Sequence, residues 1–594
     1  MCGIIARVGT EDAVPSVLCG LENLEYRGYD SAGLALRNGH GVEVFKREGE
    51  ISRLVSHVGR EKPVAEIGIG HTRWSTHGPP TDENAHPHTD CTGEIAVVHN
   101  GIIENHDELR RPLEKTGHEF ESDTDTEVIP HLIENGIAAG HSPEEAFEST
   151  VELLSGSYAI AMIHRGEKTV YAARRGSPLV LGIDESALFL ASDVPAFLEF
   201  TDRVVYIEDE QLVRISASGY TITERGDEIA DQPVVRVEWN GEAAEKGGYD
   251  HYMRKEIDEQ PSAIRQIVGS HAAADELLDI DPAILDGVSE IQFVACGTSY
   301  HAALYGSFLL ESRGIPASTY LASEYALHNC SIGENTLVVA VTQSGETADT
   351  LAAIDAAKRA GGRTLAVTNV VGSTAARTCD EALYIRAGPE IGVAATKTFS
   401  SQVVCLSLFA AQLTGDRSSA LADALASLPG DIQRVLDRSK SRKIAARYRD
   451  REAFFFIGRG AGYPVALEGA LKMKEISYEH AEGFAAGELK HGPLALVTPN
   501  TVVFAVFTGH NDDKLLNNVT EVKTRGGTVV AVVDTANEAV LEQANDVLEI
   551  PETHPDVAGL LANVQLQLVS YHAANLLGRP IDKPRNLAKS VTVE

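Results

Sequence analysis

The chain has 594 residues, too many for one compact core, and 51 Lys and Arg against 86 Asp and Glu leave a net charge of −35. That excess of acid repels phosphate backbones and anionic lipid surfaces, which argues against nucleic-acid and membrane-surface roles; an anionic substrate must be held by a local site. Seven scattered cysteines without a CxxC pair, no apolar run of the roughly 18 residues a membrane span needs, and no leader-like start predict a reducing, cytoplasmic setting.

Residues 1 to 240 read as short β-rich segments between Gly and turn residues: GIIARVG, AEIGIGHTRW, EIAVVHNG, GSYAIAMIH, TVYAARRG and RVVYIEDEQLVRIS. Several alternate apolar with polar residues, as strands with one wet face do. Two helices are expected among them, Asp107 to Thr116 and Thr126 to Asn135, giving a layered α+β domain. A polar stretch, NGEAAEKGGYDH, closes it near residue 240, and residues 241–284 read as a linker with lead-in helices. Long Ala/Leu-rich helical patterns and short Val/Ile-rich strands follow, the signature of an α/β fold.

This second half repeats itself. The segment ENTLVVAVTQSGETADTLAAIDAAKRAGGRTLAVTN aligns without gaps on PNTVVFAVFTGHNDDKLLNNVTEVKTRGGTVVAVVD at an offset of Thr501 − Thr336 = 165 residues. Each copy reads strand, polar turn, helix, Gly-Gly, strand, a βαβ unit of a parallel sheet. Two doubly wound lobes are expected, 285–425 and 450–580, with a tail from 581 to 594.

The copies differ at their turns. Copy one carries Thr342-Gln343-Ser344-Gly345-Glu346-Thr347, with Cys296-Gly297-Thr298-Ser299 at its other strand-to-helix junction; copy two has Phe507-Thr508-Gly509 and Gly458-Arg459-Gly460. A hydroxyl-rich turn opening a helix offers N–H groups, hydroxyls and the positive end of the helix dipole to a phosphate, although such residues also serve as plain N-caps. VTQSGETADT, CGTSY and the repeated βαβ resemble the sugar isomerase (SIS) family, which binds phosphosugars; the resemblance implies that Ser299, Thr342, Gln343, Ser344 and Thr347 hold the sugar phosphate.

At the amino terminus, removal of Met1 before the small Cys2 would leave a residue with both a thiol and a free α-amine. Their ordinary pKa values, about 8.5 and about 7.7 to 8.0, let the amine take the thiol proton near neutrality. CGIIARVG, LEYRGYDSAG, GHTRWSTHG, HNGIIENHDEL and SDTDTEV, in that order, resemble class II glutamine amidotransferase domains of the N-terminal nucleophile (Ntn) type. Glutamine hydrolysis needs a clamp for the α-carboxylate, an anion for the α-ammonium and donors for the tetrahedral oxyanion. Arg73 can supply the first and Asp125 the second; the Asn100 side chain and the Gly101 N–H would form the oxyanion hole. The resemblance adds Thr76 and His77 to the pocket. His71, His77, His86, His88 and Cys91 match no zinc template, and THGPPTDENAHPH reads as a pocket-lining loop. His99 reads as a core histidine.

Further on, LEGALKMKEISYEHAEGFAAGELKHGPLALV places Lys472 and Glu475 on one helix face, with Glu488 and His491 at the same spacing beyond a turn; taken alone, such pairs are ordinary surface salt bridges. The tail DKPRNLAKSVTVE holds Lys589, and Leu587, Val591 and Val593 give it something to bury. With GVAATKTFSSQ and YDHYMRKEIDEQP, the whole arrangement resembles the glutamine-fructose-6-phosphate aminotransferase family: an Ntn domain followed by two SIS lobes. One departure is Thr342, where the family more often has Ser; the hydroxyl is retained.

The resemblance implies glutamine and fructose 6-phosphate as substrates and glucosamine 6-phosphate as product, the entry to amino-sugar synthesis. Cys2 would release ammonia, passed internally with Trp74 as a gate. Lys589 would form a Schiff base at C2, His491 would assist ring opening, Glu475 would move the proton between C1 and C2, and Lys472 would support Glu475. It implies no metal or organic cofactor, and a homodimer or larger homo-oligomer in which His491 serves the neighbouring subunit. Two rivals remain. An amidophosphoribosyltransferase would need a pyrophosphate loop, which the chain lacks, and a sugar-phosphate-sensing regulator would usually carry a DNA-binding domain.

Overall fold

A computed structural model describes residues 2–75, 77–229, 232–237, 246–271, 278, 280–327, 332–415, 418–534 and 537–591. The chain forms two compact units, Met1–Glu245 with Ala588–Glu594, and Lys246–Leu587.

In the first unit an eight-stranded and a seven-stranded sheet are stacked. Gly3–Gly9 lies in the middle of the larger sheet, antiparallel to Ala187–Ala191 on one side and Ile67–Arg73 on the other. Its side chains alternate between two cores. Ile4, Ala6 and Val8 meet Ala96, Val98, Ala159 and Ala161 of the second sheet. Ile5 faces the other way, among residues of the helices Val14–Asn23 and Ile51–Glu61. The outer side of the second sheet is covered likewise by Val128–Ala138 and Pro143–Leu153. The unit is thus an α+β layered structure with two helical layers outside two sheets.

This layering corrects the expectation of one wet face. Gly3–Gly9 and Ile67–Arg73 are buried along their whole length because helices cover the side that a two-layer fold would leave in water. The described residues of this unit hold five α-helices rather than two. One of the additional helices, Pro143–Leu153, starts with a reciprocal capping box between Ser142 and Glu145, a signal already present in SPEE. The run RVVYIEDEQLVRIS is not one strand either. Arg203–Tyr206 belongs to the larger sheet and Gln211–Ser216 to the smaller, and the acidic turn between them carries the chain from one layer to the other.

The second unit contains two five-stranded parallel sheets with the same order, 2-1-3-4-5. They are Ala317–Leu321, Glu290–Ala295, Thr336–Val341, Arg363–Thr368, Glu381–Tyr384 and, in the second lobe, Ala481–Ala485, Ala453–Gly458, Thr501–Val506, Thr528–Asp534, Asp546–Ile550. The 165-residue offset extends to the starts of the last three strands of each sheet: Thr336 and Thr501, Arg363 and Thr528, Glu381 and Asp546. One apolar core runs through both lobes, and the helices Lys397–Thr414 and Pro555–Leu576 are buried within it over most of their length.

Residues 252–264 are no loose spacer but part of this core. Met253, Ile257 and Ile264 are fully buried, and the Tyr252 and Met253 N–H groups donate to the Asp582 carboxylate at 2.9 and 3.0 Å. At the other end of the chain, the tail divides. Ile581 and Pro584 are buried with the second unit, whereas Ala588–Glu594 groups with the first. Val591, expected to bury, is half exposed; Ser590 is the buried residue there, and Val593 lies outside the described residues.

Candidate active site

Cys2 stands at the foot of the buried strand Gly3–Gly9, beside the end of the adjacent strand Ile67–Arg73. The Trp74 N–H donates to its sulfur at 3.3 Å, and the Trp74 carbonyl lies 3.5 Å from the same atom. Burial pushes the Cys2 thiol up; the terminal ammonium, the Trp74 N–H and the Arg73 guanidinium pull the other way. The sulfur therefore needs a base before it can attack.

Asn100 and Gly101 lie on the neighbouring strand Ile95–Ile103. The Asn100 amide donates to the Cys2 carbonyl at 3.0 Å, and its orientation is set from behind. His71, fully buried, has Nε2 at 2.9 Å from the His99 carbonyl and 3.0 Å from Asn100 Oδ1; both are acceptors, so Nε2 must carry the hydrogen. Burial lowers His71 to about 3, which leaves the ring neutral and the donor in place through the physiological range. Gly101 has φ +120° and a Cβ there would lie 1.9 Å from the Ser157 carbonyl oxygen, so no other residue fits this approach of two strands.

Arg73 is 3 % exposed and donates to the backbone carbonyls of His77, Gly78 and Pro79. No carboxylate pairs with it among the described residues. Asp125, also buried, accepts from the Ile103 N–H at 2.7 Å. A cation and an anion are thus held ready around Cys2, each by neutral backbone groups. Trp74 packs edge-on against Tyr29 and His77 against His106, with centroids 5.5 Å apart in both pairs. His99 is a buried residue whose Nδ1 meets the Thr126 hydroxyl at 2.8 Å. Thr76 lies outside the described residues.

In the second unit, the order 2-1-3 puts the topological switch point of the first lobe between Glu290–Ala295 and Thr336–Val341, where open α/β sheets bind ligands. The two hydroxyl-bearing turns leave the carboxyl ends of these neighbouring strands and so meet there. Thr342 Oγ1 accepts from the Gly345 N–H, and Ser344 Oγ from the Glu346 N–H. Glu346 takes the N–H and hydroxyl of Thr374, both at 2.8 Å, tying the turn to the next loop. Thr347 occupies the N-cap of Ala348–Arg359 without using its side chain to cap it, so the plain capping account fails at this residue. Ser299 accepts from Gln402 at 2.9 Å, and Gln343 holds its neighbour loop through its carbonyl. In the second lobe the junction that corresponds to 296–299 carries Arg459, whose guanidinium donates to Asn518 Oδ1.

The pair Lys472 and Glu475 is not a surface salt bridge. Lys472 is fully buried on the helix Gly462–Ser477, 2.6 Å from Glu475, 3.4 Å from Glu468 and 3.1 Å from the Thr298 hydroxyl of the first lobe. Glu468, equally buried, also accepts from Thr298 at 3.0 Å and meets His301 at 2.8 Å. Burial alone would drive the Lys472 ammonium down, but Glu468 and Glu475 outweigh it and push it up to about 12. Thr298, His301 and Glu468 were missed from sequence, although Glu468 precedes Lys472 by the four residues of one helix turn. Glu488 and His491 are exposed on the short helix Ala486–His491. Lys589 lies in the stretch that groups with the first unit.

The glutamine amidotransferase domain model matches residues 71–199, and the SIS domain model matches twice, over 284–412 and 448–577. The chain is 51 % identical to the glutamine-fructose-6-phosphate aminotransferase (isomerizing) of Halobacterium salinarum and 46 % identical to that of Thermococcus kodakarensis, with both chains covered completely in each case. Among solved structures, the C-terminal domain of the glucosamine-fructose-6-phosphate aminotransferase from Francisella tularensis superposes with a TM-score of 0.54 at 37 % identity, covering 57 % of this chain and 99 % of that one.

Proposed function

The chain belongs to the glutamine-fructose-6-phosphate aminotransferase (isomerizing) family, and from that premise we propose which of its residues carry each half of the reaction. In the first unit, the Cys2 thiol adds to the glutamine carboxamide after its own α-amine, freed by loss of Met1, takes the thiol proton. That proton leaves with the carboxamide nitrogen of the substrate as ammonia, and water releases glutamate from the thioester. Asn100 and the Gly101 N–H stabilise the oxyanion, Arg73 binds the substrate carboxylate, Asp125 binds its ammonium, and Thr76 and His77 line the pocket. The observation that carries this reading is the Cys2 sulfur under the Trp74 N–H, with the Asn100 amide, oriented by His71, donating to the carbonyl of the same residue. The buried, carboxylate-free Arg73 supports the clamp.

In the second unit, Ser299, Thr342, Gln343, Ser344 and Thr347 bind the phosphate of fructose 6-phosphate. His491 assists ring opening, from a neighbouring copy in a homodimer or larger homo-oligomer. Lys589 condenses with the C2 carbonyl and expels water, ammonia adds to the C2 iminium carbon and displaces the lysine amine, and Glu475 then moves a proton from C1 to C2 of the resulting imine to give glucosamine 6-phosphate. Lys472 supports Glu475 through their ion pair. Its ammonium lies between two carboxylates, which disfavours it as the Schiff-base nucleophile. Trp74 gates the ammonia. The reaction belongs in the cytoplasm, where both substrates occur.

The test is direct. Purified chain given glutamine and fructose 6-phosphate should form glucosamine 6-phosphate, Cys2→Ala should lose both this synthesis and glutamine hydrolysis, and borohydride with the sugar should label Lys589. Glutamine hydrolysis surviving in Cys2→Ala would refute the nucleophile, and label on Lys472 or Lys490 would refute the role of Lys589.

A further inference from the structure

We propose that Cys91, His118, His131 and Glu134 form a four-ligand site for a divalent transition metal, zinc by the character of its donors, in the first unit. The ligand atoms, one from each residue, lie within 4.8 Å of one another. Cys91 Sγ is 3.7 Å from His118 Nδ1 and 3.6 Å from His131 Nδ1, while Glu134 Oε2 is 2.9 and 3.2 Å from the same two nitrogens. With bonds of about 2.0 to 2.1 Å to N and O and about 2.3 Å to S, a tetrahedral zinc ion holds its ligand atoms roughly 3.3 to 3.6 Å apart. The four distances, 2.9 to 3.7 Å, fall within about 0.4 Å of that spacing.

Three separate segments supply them. Cys91 sits in the turn between His88–Thr89 and Ile95–Ile103, His118 follows the helix His106–Thr116, and His131 and Glu134 are three apart on Val128–Ala138. One thiolate, two imidazoles and one carboxylate make a mixed N/S/O set that selects zinc over magnesium or calcium, and four protein ligands close the sphere, as in structural sites.

The surroundings fit as well. His131 is buried, and its Nε2 finds no hydrogen-bond partner but lies 3.8 Å from Glu127 Oε1. Glu127 is itself fixed by the N–H groups of Glu121 and Ser122, each at 2.7 Å, and by the Ser122 hydroxyl at 2.6 Å. A carboxylate behind the distal nitrogen of a ligating histidine sets its tautomer, with the hydrogen on Nε2 and the Nδ1 lone pair facing the metal. Without a cation, that lone pair points at Glu134 and the Cys91 sulfur, three electron-rich atoms together. Cys91 is exposed, which provides an entry path. Along the sequence Cys91 follows His71, His77, His86 and His88, but the fold sends it to a different pair of histidines, 27 and 40 residues further on.

The role is that of a clip. Asp125 lies on the segment between His118 and His131, and the strand that begins four residues after Cys91 carries Asn100 and Gly101. Metal content of the full-length chain, purified without a metal-affinity step, should be one zinc per chain. After chelator stripping, cobalt(II) should give the intense visible bands of a tetrahedral site and a thiolate-to-cobalt charge-transfer band. Cys91→Ser should lose the charge-transfer band, and Glu127→Gln should keep the spectrum but bind 10- to 100-fold more weakly. Because His131 is buried and its substitution risks the fold, His118→Gln serves as the second ligand variant and should also lose the zinc. Cobalt bands typical of six-coordination, or identical spectra and zinc content in wild type and Cys91→Ser, would overturn the assignment.

Discussion

Lys472 shows how placement chooses between the chemistries open to one side chain. Between Glu468 and Glu475 it is an ammonium that orders two carboxylates rather than an amine that attacks a carbonyl. Lys472→Met should leave the buried Glu468 and the partly buried Glu475 without their counter-charge and cost about 3 to 5 kcal/mol; denaturant unfolding of the second unit measures it, and the double variant with Glu468→Gln should recover part of the loss. His71 acts through another residue in the same way. It touches no reacting atom in this arrangement but fixes the face that Asn100 turns to Cys2. His71→Ala should lower kcat for glutamine hydrolysis by up to the roughly 10²- to 10³-fold expected for loss of an oxyanion donor, with KM for glutamine little changed. A parallel rise in KM would instead mean that His71 shapes the binding pocket.

At the scale of elements, the turn 342–347 is both a hydroxyl cradle and a backbone shape. Ser344→Ala and Thr347→Ala should each weaken binding of fructose 6-phosphate by the worth of one charge-assisted hydrogen bond, about 1.5 to 3 kcal/mol or roughly 10- to 150-fold. Gly345 tests the shape alone. Its φ is +71° and a Cβ would come within 2.1 Å of the Ser373 hydroxyl, so Gly345→Ala, which removes no phosphate donor, should weaken the sugar at least as much while glutamine hydrolysis proceeds unchanged. Calorimetric binding of the sugar phosphate separates these variants, and unaltered affinity in all three would move the phosphate elsewhere in the unit. The second lobe already gives a contrast, since its equivalent turn, 507–512, keeps one hydroxyl, on Thr508, where the first lobe has Thr342, Ser344 and Thr347.

Across the whole molecule, the buried histidines of the first unit and the acidic surface set opposite demands. Burial holds His71 near 3 and lowers His86, His88 and His99 as well. Above pH 6.5 these rings are neutral in both folded and unfolded chains and have no effect on stability through protonation. As the pH falls, the unfolded rings take protons that the folded ones refuse, so stability drops by up to about 1.4 kcal/mol per pH unit for each histidine until its folded pKa is reached. The melting temperature of the first unit should fall steeply between pH 6.5 and 4.5, and a flat profile would contradict the burial of these rings. The net charge of −35, carried with 34 Arg and 17 Lys, argues that added salt should raise the melting temperature of the whole chain by screening self-repulsion.

Much of this was legible in the sequence because the signals are local or periodic. The 165-residue repeat, the Ser/Thr string at 342–347 and the i,i+3 pair Lys472 and Glu475 each arise from spacing along the chain, which helices and parallel βαβ units convert directly into neighbours. Cys2, Arg73, Asn100, Gly101 and Asp125 stand in short contiguous motifs, which the sequence displays directly. What only the tertiary structure decided depends on pairings between distant segments. Two-sided burial of Gly3–Gly9 requires a second sheet whose first strand starts at His88, and the division of RVVYIEDEQLVRIS between two sheets depends on layers that one segment cannot specify. Thr298 and His301 join Glu468 across 167 to 170 residues, and Cys91 meets His131 across 40. Periodicity records which face of an element is apolar, but not which other element will cover it, and it is that covering that turns scattered polar residues into a buried network or a ligand set.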